Sequence, residues 1–300
     1  FRCAENIISG HGYSFNAGYR IEACSSLTWL SLLILFLKSG CNILIASKIL
    51  GIVLGCLSLL LIYAITRCFT QQMPWVILPA LLSSLSIPFF FWNQMGLETA
   101  LYTLIYLSLI LLCLKKEWFM YWPAISLLLV LTRPEGIFLL LGLLSVFYIY
   151  RERSKIIIYT SLSFIILLLA LIVLRLFYFH DFLPSPFYIK IYSGKPSEGL
   201  LYVHTFFKNH YMYVFLAPLL YLLWKRWNWE NNRVILLGFT AVYLIWVVLG
   251  GSEGIFKPFY RHLVPAIPLF YIYTITGIMK ICDRYSIIRK ACYTLIVLHG

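Results

Sequence analysis

The chain has 300 residues, 62% of them hydrophobic and only 12% charged. A soluble domain carries roughly 25% charged residues, so the composition excludes an ordinary water-soluble enzyme and points to an all-α, polytopic integral membrane protein; runs that are continuously apolar rather than alternating argue against a β-barrel. The net charge of +13 does not indicate nucleic acid, because most Lys and Arg fall in short turns between apolar runs, where the positive-inside bias places them.

In chain order, residues 1–24 are polar and dotted with glycine, "FRCAENIISGHGYSFNAGYRIEAC". The first ten residues are too polar for a signal peptide. The run 25–38 is too short to span a bilayer, and we read it as a helix in the outer interface with Trp29 at headgroup depth. Apolar length then predicts spans over 41–67, 74–91, 97–114, 118–132, 135–150, 155–178, 211–224, 233–250, 262–280 and 287–299, a bundle of about nine or ten transmembrane helices in one membrane domain. The basic turns at Arg67, Lys115-Lys116, Arg151 to Lys155, Lys225-Arg226 and Lys280 to Lys290 alternate so that one topology puts all of them on the cytoplasmic side. The other side then receives residues 1–24, "WNQMGLET", "TRPEG", the long loop 179–210 and "GGSEGIFKPFYRH", with seven of the eleven acidic residues: Glu5, Glu22, Glu98, Glu135, Asp181, Glu198 and Glu253. The eight cysteines form no CxxC pair and no zinc pattern; Cys3 and Cys24 are the two that an oxidising compartment would bridge.

The polar stretches carry the candidate chemistry. In "GLETALYTL" Glu98 falls on the first turn of a helix, where it either caps the free N–H groups or faces a polar cavity and positions a hydroxyl or a cation. In "LTRPEG" Arg133 and Glu135 lie between two apolar arms and are costly there unless paired or wet; the alternatives are a snorkelling Arg with a capping Glu, or an Arg that binds phosphate bidentately. "HDFLPSPFYIKIYSGKPSEG" sets Phe187, Tyr188 and Tyr192 beside Lys190, which suits a sugar next to an anion or an interfacial aromatic belt. "GGSEGIFKPFYRHLVPAIP" places Lys257, Arg261 and His262 just before a proline-punctuated helix, with Glu253 upstream. Arg, Lys and Glu gathered on one face point to an anionic ligand at the membrane surface.

Together, "FRxAENxxxGHGxxFNxGxRIE", "GLETALY", "TRPEG", "LPxPFYxK" and "GG…FYRHLVPAIP" resemble, in order and over nearly the whole chain, the GT-C-fold glycosyltransferases. The nearest likeness is to mycobacterial terminal β-arabinofuranosyltransferases and to related bacterial flagellar motor control proteins. The resemblance implies transfer of a sugar from a polyprenyl-phosphate donor to an envelope glycan or lipid acceptor, on the periplasmic face of the bacterial inner membrane. It also implies an acidic catalytic base in the first outer loop. The family's acidic pair precedes "FRCAEN", so the resemblance puts that base upstream of Phe1 and makes residues 1–24 the remainder of the loop. Matching positions include Arg2, Glu5, Asn6, Asn16, Glu22, Glu98, Arg133, Glu135, Tyr188, Lys190, Arg261 and His262. Ser185, where relatives commonly have Asn, and Ser252-Glu253, where they have Asp-Trp or Asp-His, depart from the pattern.

Inverting transfer requires a base for the acceptor hydroxyl and cations for the departing phosphate. We assign Arg133, Lys190 and Arg261 to the phosphate, and Arg2, Asn16, Glu22, Glu98, Glu135, Tyr188, Glu253 and His262 to sugar or acceptor. The sequence identifies no cofactor; a divalent cation is compatible with such a site, but the sequence offers no clear ligand set. The competing readings are a non-catalytic membrane assembly or regulatory protein that keeps the fold, and a transporter, for which Arg175 and Lys48 are the mid-span ionisable candidates.

Overall fold

The computed structural model describes residues 1–16, 22, 24–115, 120–137, 140, 155–185, 188, 195–214, 216, 231–250 and 259–284. Among them there is no β-strand. The helices are α1 (Arg2–Ile8), α2 (Leu27–Lys38), α3 (Ile43–Arg67), α4 (Met73–Leu85), α5 (Ile87–Gln94), α6 (Thr99–Leu114), α7 (Trp122–Thr132), α8 (Lys155–Phe179), α9 (Pro196–Asn209), α10 (Asn231–Gly250) and α11 (Ile267–Arg284), with a 3₁₀ turn at Arg261–Leu263.

Helix α6 is apolar around its whole circumference and is therefore buried around it, with Ala100, Tyr106, Leu107, Leu109 and Ile110 fully inaccessible. It packs most extensively on α3, then on α7 and α10. The Tyr106 hydroxyl donates to the Phe239 carbonyl of α10 at 2.8 Å. Helix α8 lies at the opposite extreme: Ile158, Leu162, Ile166, Leu169, Leu174 and Phe177 are all exposed. Helices α3 and α8 are long and apolar enough to cross a membrane, and the α4–α5 pair would make a third crossing if it counts as one broken span.

That pair corrects the expected single span 74–91, because α4 and α5 meet at 64°. Pro88 has no N–H to give to the preceding turn and its ring collides with the carbonyl four residues back, so the helix breaks at Ser86, whose backbone is extended. Other expected spans are shorter as helices: α6 has 16 residues and α7 has 11. The loop 179–210 contains α9, and parts of the spans 118–132, 135–150 and 211–224 and all of 287–299 fall outside the described residues.

Helix α2 forms over 27–38, as expected, and its Trp29 is only 4% exposed, in a core shared with Cys3, Ala4, Leu30, Ile43 and Leu54. Helix α1 packs on α2 and contributes Cys3 and Ala4 to that core. Cys3 and Cys24 are free thiols rather than a disulfide. Burial pushes both above the ordinary thiol range.

A candidate anion site at converging helix ends

The centre of the site is Glu98. Gly96 turns the chain out of α5 with φ +68°, and a Cβ there would lie 2.6 Å from the Ser47 hydroxyl of α3, so only glycine fits both the conformation and the approach. Glu98 then occupies the N-cap position of α6 but makes no side-chain capping bond. Its carboxylate serves another purpose. Arg133 Nη2 donates to Glu98 Oε1 at 3.0 Å, and Arg261 Nη2 donates to the same oxygen. Thr99 closes the arrangement: its hydroxyl accepts from Arg261 Nε at 2.9 Å and lies 3.5 Å from Arg133 Nη2.

Three separate segments deliver these groups. Arg133 ends α7 in an extended conformation, with its side chain 5% exposed, its guanidinium 5.4 Å from the Tyr102 ring centroid and its backbone N–H on the Leu129 carbonyl. That burial rules out the snorkelling alternative. Helix α7 is tied to α2 by the Thr28 and Thr132 hydroxyls, 2.6 Å apart. Arg261 arrives on the strap Phe259–Tyr260, which is clamped from two sides. On one side Phe91 stacks on Phe259 at 4.0 Å, Trp92 Nε1 donates to the Phe259 carbonyl at 2.7 Å, and the Trp92 ring lies 5.3 Å from the Arg261 guanidinium. On the other, α9 and the residue after it present Tyr202, Phe206 and His210 around the Tyr260 ring, and Asn209 Nδ2 donates to the Tyr260 hydroxyl at 2.8 Å. Tyr260 is held at φ 45°, a left-handed conformation that a bulky residue adopts only when its surroundings impose it.

His262 completes the cluster. Arg133 Nη1 lies 3.4 Å from its Nδ1, and since a guanidinium only donates, that ring nitrogen is the acceptor if the two bond. The His262 backbone N–H donates to the Tyr202 hydroxyl at 3.3 Å. The side chains of Glu98 and Arg261 are 15% and 19% exposed against 5% for Arg133, so the cluster opens toward solvent on the Glu98–Arg261 side. Two guanidinium groups, a hydroxyl and an imidazole thus gather around one carboxylate oxygen.

Of the phosphate-binding expectation, then, the structure brings Arg133 and Arg261 together, and His262 with them; Lys190 and Glu253 lie outside the described residues. Glu98 makes no capping bond to α6 and pairs with both arginines. Glu135 is buried, 2% exposed, in the turn after Arg133. Tyr188 is half-buried.

The first-loop candidates lie elsewhere. Phe1, upstream of which the catalytic base is expected, is the N-cap residue of α1; its side chain is exposed, and its carbonyl accepts from the Ala4 and Glu5 N–H groups at 2.8 and 3.2 Å. The expected base itself falls outside the described residues, so no catalytic carboxylate is assigned at that end of the loop. Arg2 is exposed over the Phe15 ring, 4.8 Å from its centroid, and Asn16 is exposed. Asn6 Nδ2 donates to the Ser14 and Phe15 carbonyls and so folds its own loop. Glu22, expected on sugar or acceptor, has a side chain 2% exposed and paired with Arg175 at 3.2 Å. Burial pushes the Glu22 carboxyl above its ordinary value, with Arg175 offsetting part of that. Arg175 is thereby a partner for the first loop near the end of α8. Thr99, Trp92, Tyr202 and Tyr260 were missed as site residues; Thr99 and Trp92 stand inside the quoted stretch "WNQMGLET", the signal available for them.

Among the described residues, no three His, Cys, Asp or Glu side chains gather in a way that could hold a metal ion. A cavity of about 160 Å³ between α3, α4 and α5 is lined by Ile52, Gly55, Leu59, Phe89 and Asn93, and does not include the charged cluster. No family model, curated protein or solved structure matches the chain.

Proposed function

We propose that this protein is a multi-pass membrane glycosyltransferase of the GT-C type, taking a sugar from a polyprenyl-phosphate donor and passing it to an envelope glycan or lipid acceptor on the periplasmic face of the bacterial inner membrane. The observation that carries the reading is the meeting of Arg133, Arg261, Thr99 and His262 at one solvent-reachable point, delivered by the ends of α7 and α6 and by the strap before α11. Paired guanidinium groups beside a hydroxyl suit a phosphate, both in the bound donor and as charge builds on it when the sugar leaves. The apolar, exposed flanks of α3 and α8 suit a lipid-borne substrate.

In the transfer, the acceptor oxygen forms a bond to the anomeric carbon, the bond from that carbon to the phosphate oxygen breaks, and its electron pair leaves with the phosphate. The hydroxyl proton goes to a base. The Glu98 and Glu22 carboxylates already accept hydrogen bonds from arginines. The proposal therefore assigns Arg133 and Arg261 to the donor phosphate and takes the base from a carboxylate other than these two. The test is donor binding and transfer in proteoliposomes with a polyprenyl-phosphate sugar. Arg133→Gln and Arg261→Gln should each weaken donor binding at least about tenfold, the effect of losing one charge-assisted contact; unchanged binding in both overturns the assignment.

A further inference from the structure

The arginines that would hold a phosphate are not waiting empty. Arg133 Nη2 and Arg261 Nη2 converge on a single oxygen, Oε1 of Glu98, and Arg261 Nε is taken by Thr99. An oxygen that receives two guanidinium N–H groups from different directions sits where a phosphate oxygen would sit, because bidentate recognition of carboxylate and of phosphate uses the same fork. The Glu98 side chain is also the member of the cluster best placed to leave. It is partly exposed, it makes no capping bond to its own helix, and it follows the turn at Gly96. Its carboxylate can turn outward about its side-chain bonds while the backbone stays put.

We propose that Glu98 is a resident counter-ion occupying the anion seat, and that a phosphate enters by displacing its carboxylate from Arg133 and Arg261. This rests on the reading of those arginines as a phosphate site and adds how the site is regulated. While no ligand holds the seat, Glu98 keeps both guanidinium groups aimed at one point. When a phosphate arrives, one anion is exchanged for another, so only a ligand that holds the arginines better than a carboxylate does binds well. A phosphodiester carries a single charge, as Glu98 does. A phosphate that has released its substituent carries roughly −1.5 to −2 at neutral pH. The exchange therefore favours the departing phosphate over the intact diester.

The experiment is titration of the detergent-purified protein with inorganic phosphate at constant ionic strength, read by calorimetry, for wild type, Glu98→Gln, Glu98→Asp, Arg133→Gln and Arg261→Gln. Glu98→Gln keeps the shape and a hydrogen-bond acceptor but removes the competing charge, and should bind phosphate about tenfold tighter than wild type. Glu98→Asp retains the charge on a shorter arm and should fall between them, which keeps the inference testable if the glutamine variant does not fold. Both arginine variants should bind more weakly. If phosphate binds wild type and is lost in the arginine variants, yet Glu98→Gln or Glu98→Asp binds no tighter, the displaced counter-ion is wrong and the phosphate site stands. If wild type and the arginine variants respond alike, the phosphate site itself fails, and the counter-ion with it.

Discussion

Arg175 and Glu22 form an ion pair at 3.2 Å with both side chains almost wholly withdrawn from solvent. It joins the polar N-terminal loop to the last turns of α8. The same loop is fastened around it by the Ser185 N–H on the Glu22 carbonyl, by the Tyr13 hydroxyl on the Cys24 carbonyl at 2.6 Å, and by the Tyr13 ring against Phe179. A buried pair is sensitive to losing one member, because the survivor is left as an uncompensated charge.

Arg175→Met should therefore cost about 3–5 kcal/mol of stability at neutral pH, measured as chemical or thermal unfolding in detergent. The loss should shrink as the pH falls. The folded-state carboxyl of Glu22 already lies above its ordinary value of 4.5 because of burial, and removing Arg175 raises it further. A group whose folded value is raised contributes stability that is complete below its unfolded value and disappears as the pH climbs through the folded one. A second change, Glu22→Gln on the Arg175→Met background, should restore most of the loss at neutral pH; a double variant no better than the single one contradicts the account.

His210 should make the strap that carries Arg261 sensitive to acid. It packs on Phe206 and Tyr260, with ring centroids 5.0 and 5.3 Å away, and burial lowers its affinity for a proton below the ordinary value of 6.5. Its stabilising contribution is present above about 6.5 and is lost as the pH falls through the folded value. The expected outcome is a drop in melting temperature on acidification of wild type that is smaller in His210→Phe, followed by scanning fluorimetry between about pH 5 and 8, the range in which an imidazole titrates.

Gly96→Ala should displace Glu98 from both arginines. The positive φ alone costs an L-residue about 1–2 kcal/mol, and the new methyl meets the Ser47 hydroxyl at 2.6 Å. Pairing it with Ser47→Gly should recover the steric part and leave the conformational part. Full recovery, read as melting temperature, indicates that the turn does not require glycine's conformation.

Trp92→Leu removes both the ring 5.3 Å from the Arg261 guanidinium and the N–H that holds the Phe259 carbonyl. A cation–π contact contributes about 0.5–2 kcal/mol, so phosphate affinity should fall several-fold through Arg261. Trp92→Phe keeps a ring and should recover part of it. Equal losses in both would assign the effect to the hydrogen bond alone.

Much of this was legible in the residues. Apolar length marked α3, α8 and α10, and the polar breaks "GLET", "TRP" and "FYRH" marked the places where charge had to be partnered or wet. These features are local: the cost of burying a backbone or a charge is set by a residue's own chemistry and its near neighbours in the chain. The break in α4–α5 was also local, written in Pro88, but apolar length alone hid it.

Tertiary structure decided the partners. Nothing in the order of residues says that Glu98 takes Arg133 and Arg261 rather than its own helix N-terminus, or that Glu22 faces Arg175 rather than a ligand. Both choices follow from which helix ends the packing of the bundle brings together, for Glu98 the packing of α6 against α3, α7 and α10. A carboxylate has the same character in every such pairing. Whether it serves as a cap, a latch or the occupant of an anion site depends on the charges that the fold places within about 3 Å of it.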